Sequence, residues 1–146
     1  MTTSVVVDSN IFIATVIPDS TTPQARALLK HWLYHDVQFF APALFRYEVI
    51  AVIRKHIYRG SITPNQAKEA IEYIFHHKIA FYLDMPLLLR GLDFANQFNF
   101  PTAYDSQYLS IAEHLKCEFW TGDKRLVSTV TPTLNWVKWL GDFSAN

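Results

Sequence analysis

The stretch SVVVDSN, residues 4–10, joins a short β-branched run to three small polar residues. Valine-rich runs of this length favour a buried strand, whereas aspartate, serine and asparagine favour turns and helix caps. We therefore expect a first strand over Ser4–Val7, with the carboxylate of Asp8 directly at its carboxyl end.

The rest of the chain alternates in the same way between short apolar runs and helical patterns. Further strands are predicted at Val37–Phe40, Ile79–Leu83, Cys117–Thr121 and Leu134–Leu140. Helices are predicted to begin at Thr22-Pro23, at Pro42, at the capping box Thr63-Pro64-Asn65-Gln66, at Pro86 and at a cap on Thr102. Parallel strands need crossover connections, which helices supply. We therefore expect an α/β fold with a central parallel sheet of four to five strands, flanked by helices on both faces.

Length and composition agree with one compact domain. The 146 residues are half apolar, which favours a single domain over residues 1–146. Thirteen basic and thirteen acidic side chains cancel, so any affinity for a polyanion must come from a local patch. The single cysteine excludes an intramolecular disulfide and a cysteine-based zinc cluster. With neither a signal-peptide pattern nor an apolar window of membrane-spanning length, we expect a cytoplasmic protein with no membrane association.

Four acids occupy related positions in this predicted architecture. Asp8 and Asp123 follow the first and fourth strands, Asp105 lies in the first turn of the helix before the fourth strand, and Glu48 lies early in the helix after the second. Strand ends and helix starts meet at one sheet edge, so all four can converge there. Carboxylates about 4 Å apart repel by roughly 4 kcal/mol per pair at an effective dielectric near 20. Such a cluster indicates a hard divalent cation.

Each acid also has a purely structural interpretation. Asp8 and Asp123 could be helix caps. Asp105, three residues after Thr102, could close a capping box and interact favourably with the positive end of its helix. Glu48 is harder to explain in this way because it borders an apolar stripe, where an unpaired carboxylate is costly to bury.

Four segments together resemble a known family. They are VVVDSNIF (5–12), PALFRYE (42–48), AYDSQYLSIAE (103–113) and TGDKRL (121–126). In this order they resemble the PIN-domain family and, within it, the small ribonucleases that act as VapC-type toxins of toxin–antitoxin pairs.

The resemblance implies a metal-dependent endoribonuclease that leaves a 5′-phosphate and a 3′-hydroxyl. The acidic quartet that would bind one or two Mg²⁺ or Mn²⁺ ions is Asp8, Glu48, Asp105 and Asp123. The polar residues that would orient these carboxylates or water are Asn10, Thr121 and, as a weaker candidate, Ser9. The additional acid that some relatives carry shortly after Asp123 is missing here, which leaves the second ion open.

The residue types point to the same chemistry without the family name. Oxygen ligands without cysteine or a histidine triad favour magnesium or manganese, and such an ion can activate water against a phosphodiester. Arg46, Lys124 and Arg125 lie near the acidic edge and are candidates for phosphate contacts, although each could equally be solvated surface charge.

Partners and alternatives complete these expectations. The resemblance implies a homodimer inhibited by an antitoxin, with the helices near Thr22–Tyr34 and Pro42–Tyr58 as contact surfaces. A catalytically silent PIN-like module that binds protein or RNA is the main alternative. An aspartyl-phosphate enzyme fits less well because Asn10 stands where such a phosphatase has a second aspartate.

Overall fold

The computed structural model describes residues 3–144 as one α/β domain, so the predicted domain limits at 1 and 146 lie outside the described residues. The strands are β1 (Ser4–Val7), β2 (Gln38–Pro42), β3 (Ile79–Tyr82), β4 (Glu118–Thr121) and β5 (Val137–Trp139). The helices are α1 (Ser9–Val16), α2 (Thr22–Tyr34), α3 (Leu44–Tyr58), α4 (Pro64–His76), α5 (Met85–Gln97), α6 (Asp105–Leu115) and α7 (Lys124–Val130), with a 3₁₀ turn at Leu140–Asp142.

The strands form one parallel sheet in the order β3-β2-β1-β4-β5. The chain steps outward from β1 to β3 and then crosses back over β2 and β1 to reach β4. Crossovers between parallel strands are right-handed, so this reversal places the helices of the first half on one face and those of the second half on the other. The predicted parallel sheet with helices on both faces is confirmed.

The core lies between the central strand and the helices on either side. Val5, Val6 and Val7 are all buried, as expected for a central strand of a parallel sheet covered on both faces. On one face α6 packs against β1, β2 and β4, with α5 behind it, while α1 contacts β4 and touches α2, α3 and α4. Phe12 of α1 meets Phe45 of α3 edge to face, with ring centroids 5.6 Å apart. This packing fixes α1, α3 and α6 relative to the sheet.

Helix α1 is absent from the sequence predictions. Its residues read SNIFIATV, and buried side chains surround most of the helix, so they show no helical period. Three of the eight are β-branched apolar residues, which on propensity alone favour a strand. Burial of both sides of α1 overrides that preference.

Two predicted helix starts are wrong. Pro42 is the last residue of β2 and α3 begins at Leu44, since an extended proline can end a strand as readily as it can begin a helix. Thr102 does not cap α6, which begins at Asp105 with no side-chain cap at its amino end. The capping box at Thr63 and Gln66 is present as predicted. The last strand is shorter than predicted. It covers Val137–Trp139, and Leu140 begins a 3₁₀ turn.

Within residues 3–144, none of the helices combines the length and the apolar character that a membrane crossing needs.

Candidate acidic site at the carboxyl edge of the sheet

The strand order reverses direction between β1 and β4, and open parallel sheets bind ligands beyond the carboxyl ends of strands at such a point. Asp8 directly follows β1, and Asp123 is the second residue after β4. Glu48 lies just over one turn into α3, and Asp105 is the first residue of α6. The topology therefore brings the four predicted acids to one edge of the sheet.

Asp8 is the most deeply placed of these acids, with 5% of its surface exposed. Its Oδ2 accepts a hydrogen bond from Thr121 Oγ1 at 2.8 Å. Its Oδ1 accepts from the backbone N–H of Asn10 at 3.4 Å and so caps α1. The carboxylate is held by the ends of two neighbouring strands and one helix.

Thr121 and Asn10 shape the turn after β4. Thr121 Oγ1 accepts from the backbone N–H of Asp123 at 3.0 Å, and Asn10 Oδ1 accepts from the N–H of Gly122 at 3.0 Å. A side chain on Gly122 would place its Cβ 3.3 Å from Asn10 Oδ1, so the turn and the asparagine are closely packed. Thr121 contacts a carboxylate as expected, whereas the Asn10 side chain orients the turn that carries Asp123.

Ser9 bridges two of the acids. Its Oγ lies 3.4 Å from Asp8 Oδ1 and 3.4 Å from Glu48 Oε1. The hydroxyl has one proton to donate, so the two carboxylates share it. Ser9 was the weakest of the predicted polar residues, yet its side chain touches both Asp8 and Glu48.

Tyr108 is a site residue that the sequence analysis did not single out. Its hydroxyl donates to Glu48 Oε1 at 2.5 Å, a length typical of a charge-assisted bond, and accepts from the backbone N–H of Ser9 at 3.4 Å. The ring is fully buried and stacks on Phe119 with centroids 5.2 Å apart. Since a buried tyrosine hydroxyl needs a partner, a tyrosine three residues after Asp105 on a buried helix face was a usable signal.

The acids act on one another electrostatically. Burial raises the pKa of Asp8 to about 7, and the negative charges of Glu48 and then Asp105 push it further in that direction, against the lowering effect of the Thr121 hydrogen bond. Burial also raises the pKa of Glu48, where the Tyr108 hydrogen bond opposes it and Asp105 reinforces it. The pKa of Asp105 is raised by desolvation and by Asp123. Each of the four carboxylates is therefore close enough to interact electrostatically with at least one of the others.

Burial also raises the pKa of the Tyr108 phenol well above its ordinary value, with added contributions from Asp8 and Glu48. The hydroxyl consequently keeps its proton at every physiological pH. It is a permanent hydrogen-bond donor to Glu48.

The structural interpretations of the aspartates have different outcomes. Asp8 and Asp123 do cap helices, and Asp123 Oδ1 accepts from the N–H of Leu126 at 3.1 Å. The capping-box interpretation of Asp105 is wrong, because Thr102 is not a cap and the Asp105 side chain has no hydrogen-bond partner within residues 3–144. Capping therefore accounts for Asp8 and Asp123, and the positive end of α6 favours Asp105, whereas Glu48 has no such local explanation.

Comparison with known proteins identifies the family. The family profile of the PIN domain matches residues 5–130. The chain belongs to the PIN-domain family. Members of this family are generally nucleases. No curated protein is significantly similar to the sequence.

Among solved structures, the PIN-domain chain is similar to one described as a toxin–antitoxin complex from Klebsiella pneumoniae. The TM-score is 0.66 at 15% sequence identity, and the alignment covers 91% of this chain and 94% of that chain. At this identity the similarity establishes the shared fold.

PIN nucleases typically use divalent metals, and the donor chemistry of this site fits such an ion. The candidate ligands are all carboxylate oxygens, which hard cations prefer. The raised pKa of the buried Asp8 means that its charged form lacks a compensating positive charge. Within residues 3–144, no three Asp, Glu, His or Cys side chains converge closely enough to enclose a metal ion. The fit therefore rests on donor chemistry and burial rather than on a preformed cage.

The three predicted phosphate-binding cations are all exposed and flank the acids in sequence. The Arg46 guanidinium lies 4.9 Å from the ring centroid of Phe81 in β3, and Arg46 precedes Glu48 by two residues. Lys124 Nζ lies 4.7 Å from the Trp139 ring centroid, and Arg125 follows it at the start of α7. None of the three forms an ion pair within the described residues.

A cavity of about 1100 Å³ lies at the opposite edge of the sheet, where β2 and β3 begin. Its lining includes Phe40, Phe75 and Lys78 but none of the four acids. The acidic site lies outside this cavity and is distinguished by its charge and its place in the topology.

Proposed function

We propose that this PIN-domain protein is a metal-dependent endoribonuclease and the toxin of a toxin–antitoxin pair. The ligands of one or two Mg²⁺ or Mn²⁺ ions would be Asp8, Glu48, Asp105 and Asp123. The observation that supports this most is the mutual charge repulsion among carboxylates placed at the strand-order reversal, one of them 5% exposed. A fold that keeps such repulsion needs a compensating cation.

When bound, a divalent ion supplies an activated water and neutralises charge on the phosphate oxygens. Asp8 must lose its proton before it binds a cation, and Thr121 favours that loss by donating to Oδ2. Asp105 is the acid most open to solvent and has free oxygens, so it suits direct contact with the reacting centre. No protein nucleophile is required.

The exposed cations would hold the RNA backbone. Arg46 stands beside Glu48 on α3, and Lys124 and Arg125 follow Asp123 directly, so phosphates on either side of the acids are within their reach. The second metal position stays open, because Lys124 to Ser128 contribute no further acid after Asp123.

Cleavage of single-stranded RNA in Mn²⁺ tests the proposal. The wild type should cut, EDTA should stop it, and Asp105→Asn should lose activity by at least about a hundredfold while its circular dichroism spectrum stays native. Asp93→Asn, an exposed aspartate on α5, is the matched control and should remain active. Products should carry a 5′-phosphate and a 3′-hydroxyl. Equal cleavage by wild type and Asp105→Asn would reject the assignment.

An antitoxin and a second copy of the chain are the proposed protein partners. Large apolar side chains are exposed on α2, α3 and α5 and in the segments just before α5 and α6, and the most exposed among the described residues are Tyr34, Tyr47, Tyr58, Leu83, Met85 and Tyr104. Exposed apolar surface of this kind is typical of protein contacts. Light scattering on the purified chain would detect a dimer. The lone cysteine and an RNA substrate are consistent with a cytoplasmic location.

A catalytically silent PIN-like module that binds protein or RNA is the second candidate. It is favoured by the finding that Asp8 and Asp123 serve as helix caps. This candidate gives no reason for Glu48, a partly buried carboxylate within α3. It predicts that divalent cations have no effect on stability.

A further inference from the structure

One carboxylate oxygen of Glu48 already accepts a short hydrogen bond. Oε1 accepts from the Tyr108 hydroxyl at 2.5 Å and lies 3.4 Å from Ser9 Oγ. A carboxylate oxygen has two lone pairs, so the Tyr108 bond occupies one of them, and the other faces the proton that Ser9 shares with Asp8. Oε2 has no hydrogen-bond partner among residues 3–144. It is the oxygen that Glu48 has left for a ligand.

Asp8 is restricted in a similar way. Its Oδ1 faces Ser9 Oγ and the Asn10 N–H, each at 3.4 Å, and its Oδ2 accepts from Thr121 at 2.8 Å. Neither carboxylate can turn both of its oxygens toward the same ion without breaking hydrogen bonds. Tyr108 forms the shortest of these bonds and is therefore the main restraint on Glu48.

This restriction matters because divalent cations differ in the carboxylate geometry they accept. Ca²⁺ takes about six to eight oxygens at about 2.3–2.6 Å and readily uses both oxygens of one carboxylate. Mg²⁺ needs six ligands at about 2.0–2.1 Å and is usually held by single carboxylate oxygens and water. Carboxylates limited to one oxygen each suit the smaller, octahedral ion.

We propose that Tyr108 determines the metal specificity of the site: its hydroxyl holds Glu48 as a one-oxygen ligand and thereby selects Mg²⁺ or Mn²⁺ over Ca²⁺. The inference rests on the proposed function, because it takes Glu48 as a metal ligand. Ring stacking on Phe119 and complete burial keep the tyrosine in place. Tyr108 is thus a positioning residue that acts through Glu48.

Isothermal titration of MgCl₂, MnCl₂ and CaCl₂ at pH 8 into Tyr108→Phe tests this role. The substitution removes the hydroxyl and keeps the stacked ring. Loss of such an outer partner costs about 10–100-fold in metal affinity, so Mg²⁺ and Mn²⁺ should bind roughly tenfold more weakly. Ca²⁺ should lose less or gain, because Oε1 then keeps only the 3.4 Å contact with Ser9. The Mg²⁺ to Ca²⁺ affinity ratio should therefore fall by at least about fivefold.

Two further variants complete the experiment. Tyr104→Phe, at an exposed tyrosine beside the start of α6, should leave the ratio unchanged. Ser9→Ala removes the longer contact to Oε1 and should shift the ratio in the same direction by a smaller factor. It carries the test if Tyr108→Phe does not fold.

The failures are distinguishable. An unchanged Mg²⁺ to Ca²⁺ ratio in folded Tyr108→Phe would overturn the specificity role and leave the nuclease proposal standing. A wild type that binds no divalent cation would overturn the nuclease proposal and this inference together.

Discussion

Asp8 has two roles that are usually separate, since it caps α1 and is also a buried carboxylate facing other acids. A cap alone would have no reason for a raised pKa, because hydrogen bonds from backbone N–H groups lower it. Burial and the neighbouring charges outweigh the cap here. Stability should therefore depend on pH through this residue.

The pKa of Asp8 rises from 3.8 to about 7 on folding, so the folded protein holds a proton that the unfolded chain has released. The stabilisation is complete below the unfolded pKa and is lost as pH rises toward the folded pKa. The metal-free protein should lose up to about 4 kcal/mol of unfolding free energy between about pH 4 and pH 7 from this group. Urea unfolding at several pH values in EDTA measures it.

The Asp8→Asn variant has no ionisable group at this position, so its unfolding free energy should depend less on pH. The Asp93→Asn variant should reproduce the wild-type curve. A wild-type stability that rises between pH 5 and pH 7 relative to Asp8→Asn would contradict the raised pKa.

Thr121→Val should weaken divalent-ion binding at the proposed site while the core stays packed. The variant keeps the shape but removes the hydroxyl that donates to Asp8 at 2.8 Å and accepts from the Asp123 N–H. Because that hydrogen bond lowers the pKa of Asp8, its loss should raise the pKa above about 7. Mn²⁺ affinity at pH 7 should fall by about tenfold or more. Titration calorimetry checks this against Thr129→Val, an exposed threonine of α7. Equal Mn²⁺ affinities in the two variants would show that Thr121 does not support metal binding.

For single residues, the sequence predicted that the four acids lie at one edge of the sheet, but not the hydrogen bonds that hold them. Asp8 and Asp123 were predictable because strand ends and helix caps have local signals. The contacts of Ser9 and Tyr108 with Glu48 join α1, α6 and α3, which are remote in the chain. No local pattern contains such a contact.

Among the helices, a boundary was predicted correctly where its local sequence signal was strong. The α4 capping box was predicted because both halves of it are visible in four consecutive residues. Helix α1 was missed because it is buried on most sides and rich in β-branched residues. Its position was nevertheless implied by the polar residues after β1, which are typical of a helix start.

The α4 cap offers a test that separates stability from function. Thr63 Oγ1 accepts from the Gln66 N–H at 3.1 Å, at an exposed helix start away from the acids. Thr63→Ala should lower the unfolding free energy by about 1 kcal/mol. The urea m-value and RNA cleavage should stay unchanged, as should the metal affinity. Loss of cleavage at unchanged folding would mean that α4 belongs to the functional site.

In the molecule as a whole, the reversal of strand order brings acids that are remote in sequence to one edge of the sheet. The sequence does not predict that β1 and β4 are neighbours, because any order of parallel strands satisfies the same alternating pattern. The parallel sheet itself was predictable from alternation. The meeting of Asp8 with Thr121 depends on the order that the structure reveals.

Neutral net charge makes the salt dependence of RNA binding informative. If three cations each neutralise one phosphate of a single strand, the slope of log K against log salt should be about −2, at about −0.7 per contact. Arg46→Ala, Lys124→Ala and Arg125→Ala should each reduce the slope by about 0.7. Binding is measured on the Asp105→Asn background, with Lys68→Ala on α4 as the control. If none of the three substitutions changes the slope, these cations do not contact the RNA backbone.

The most direct test of the shared site is a count of bound ions. Electron paramagnetic resonance of free Mn²⁺ at pH 8 should show one or two ions bound per wild-type chain and per Asp93→Asn chain. Asp8→Asn and Asp105→Asn should each lose the tightest ion, although β1 and α6 are far apart in sequence. Retention of wild-type binding by both variants would contradict a single site built from all four acids.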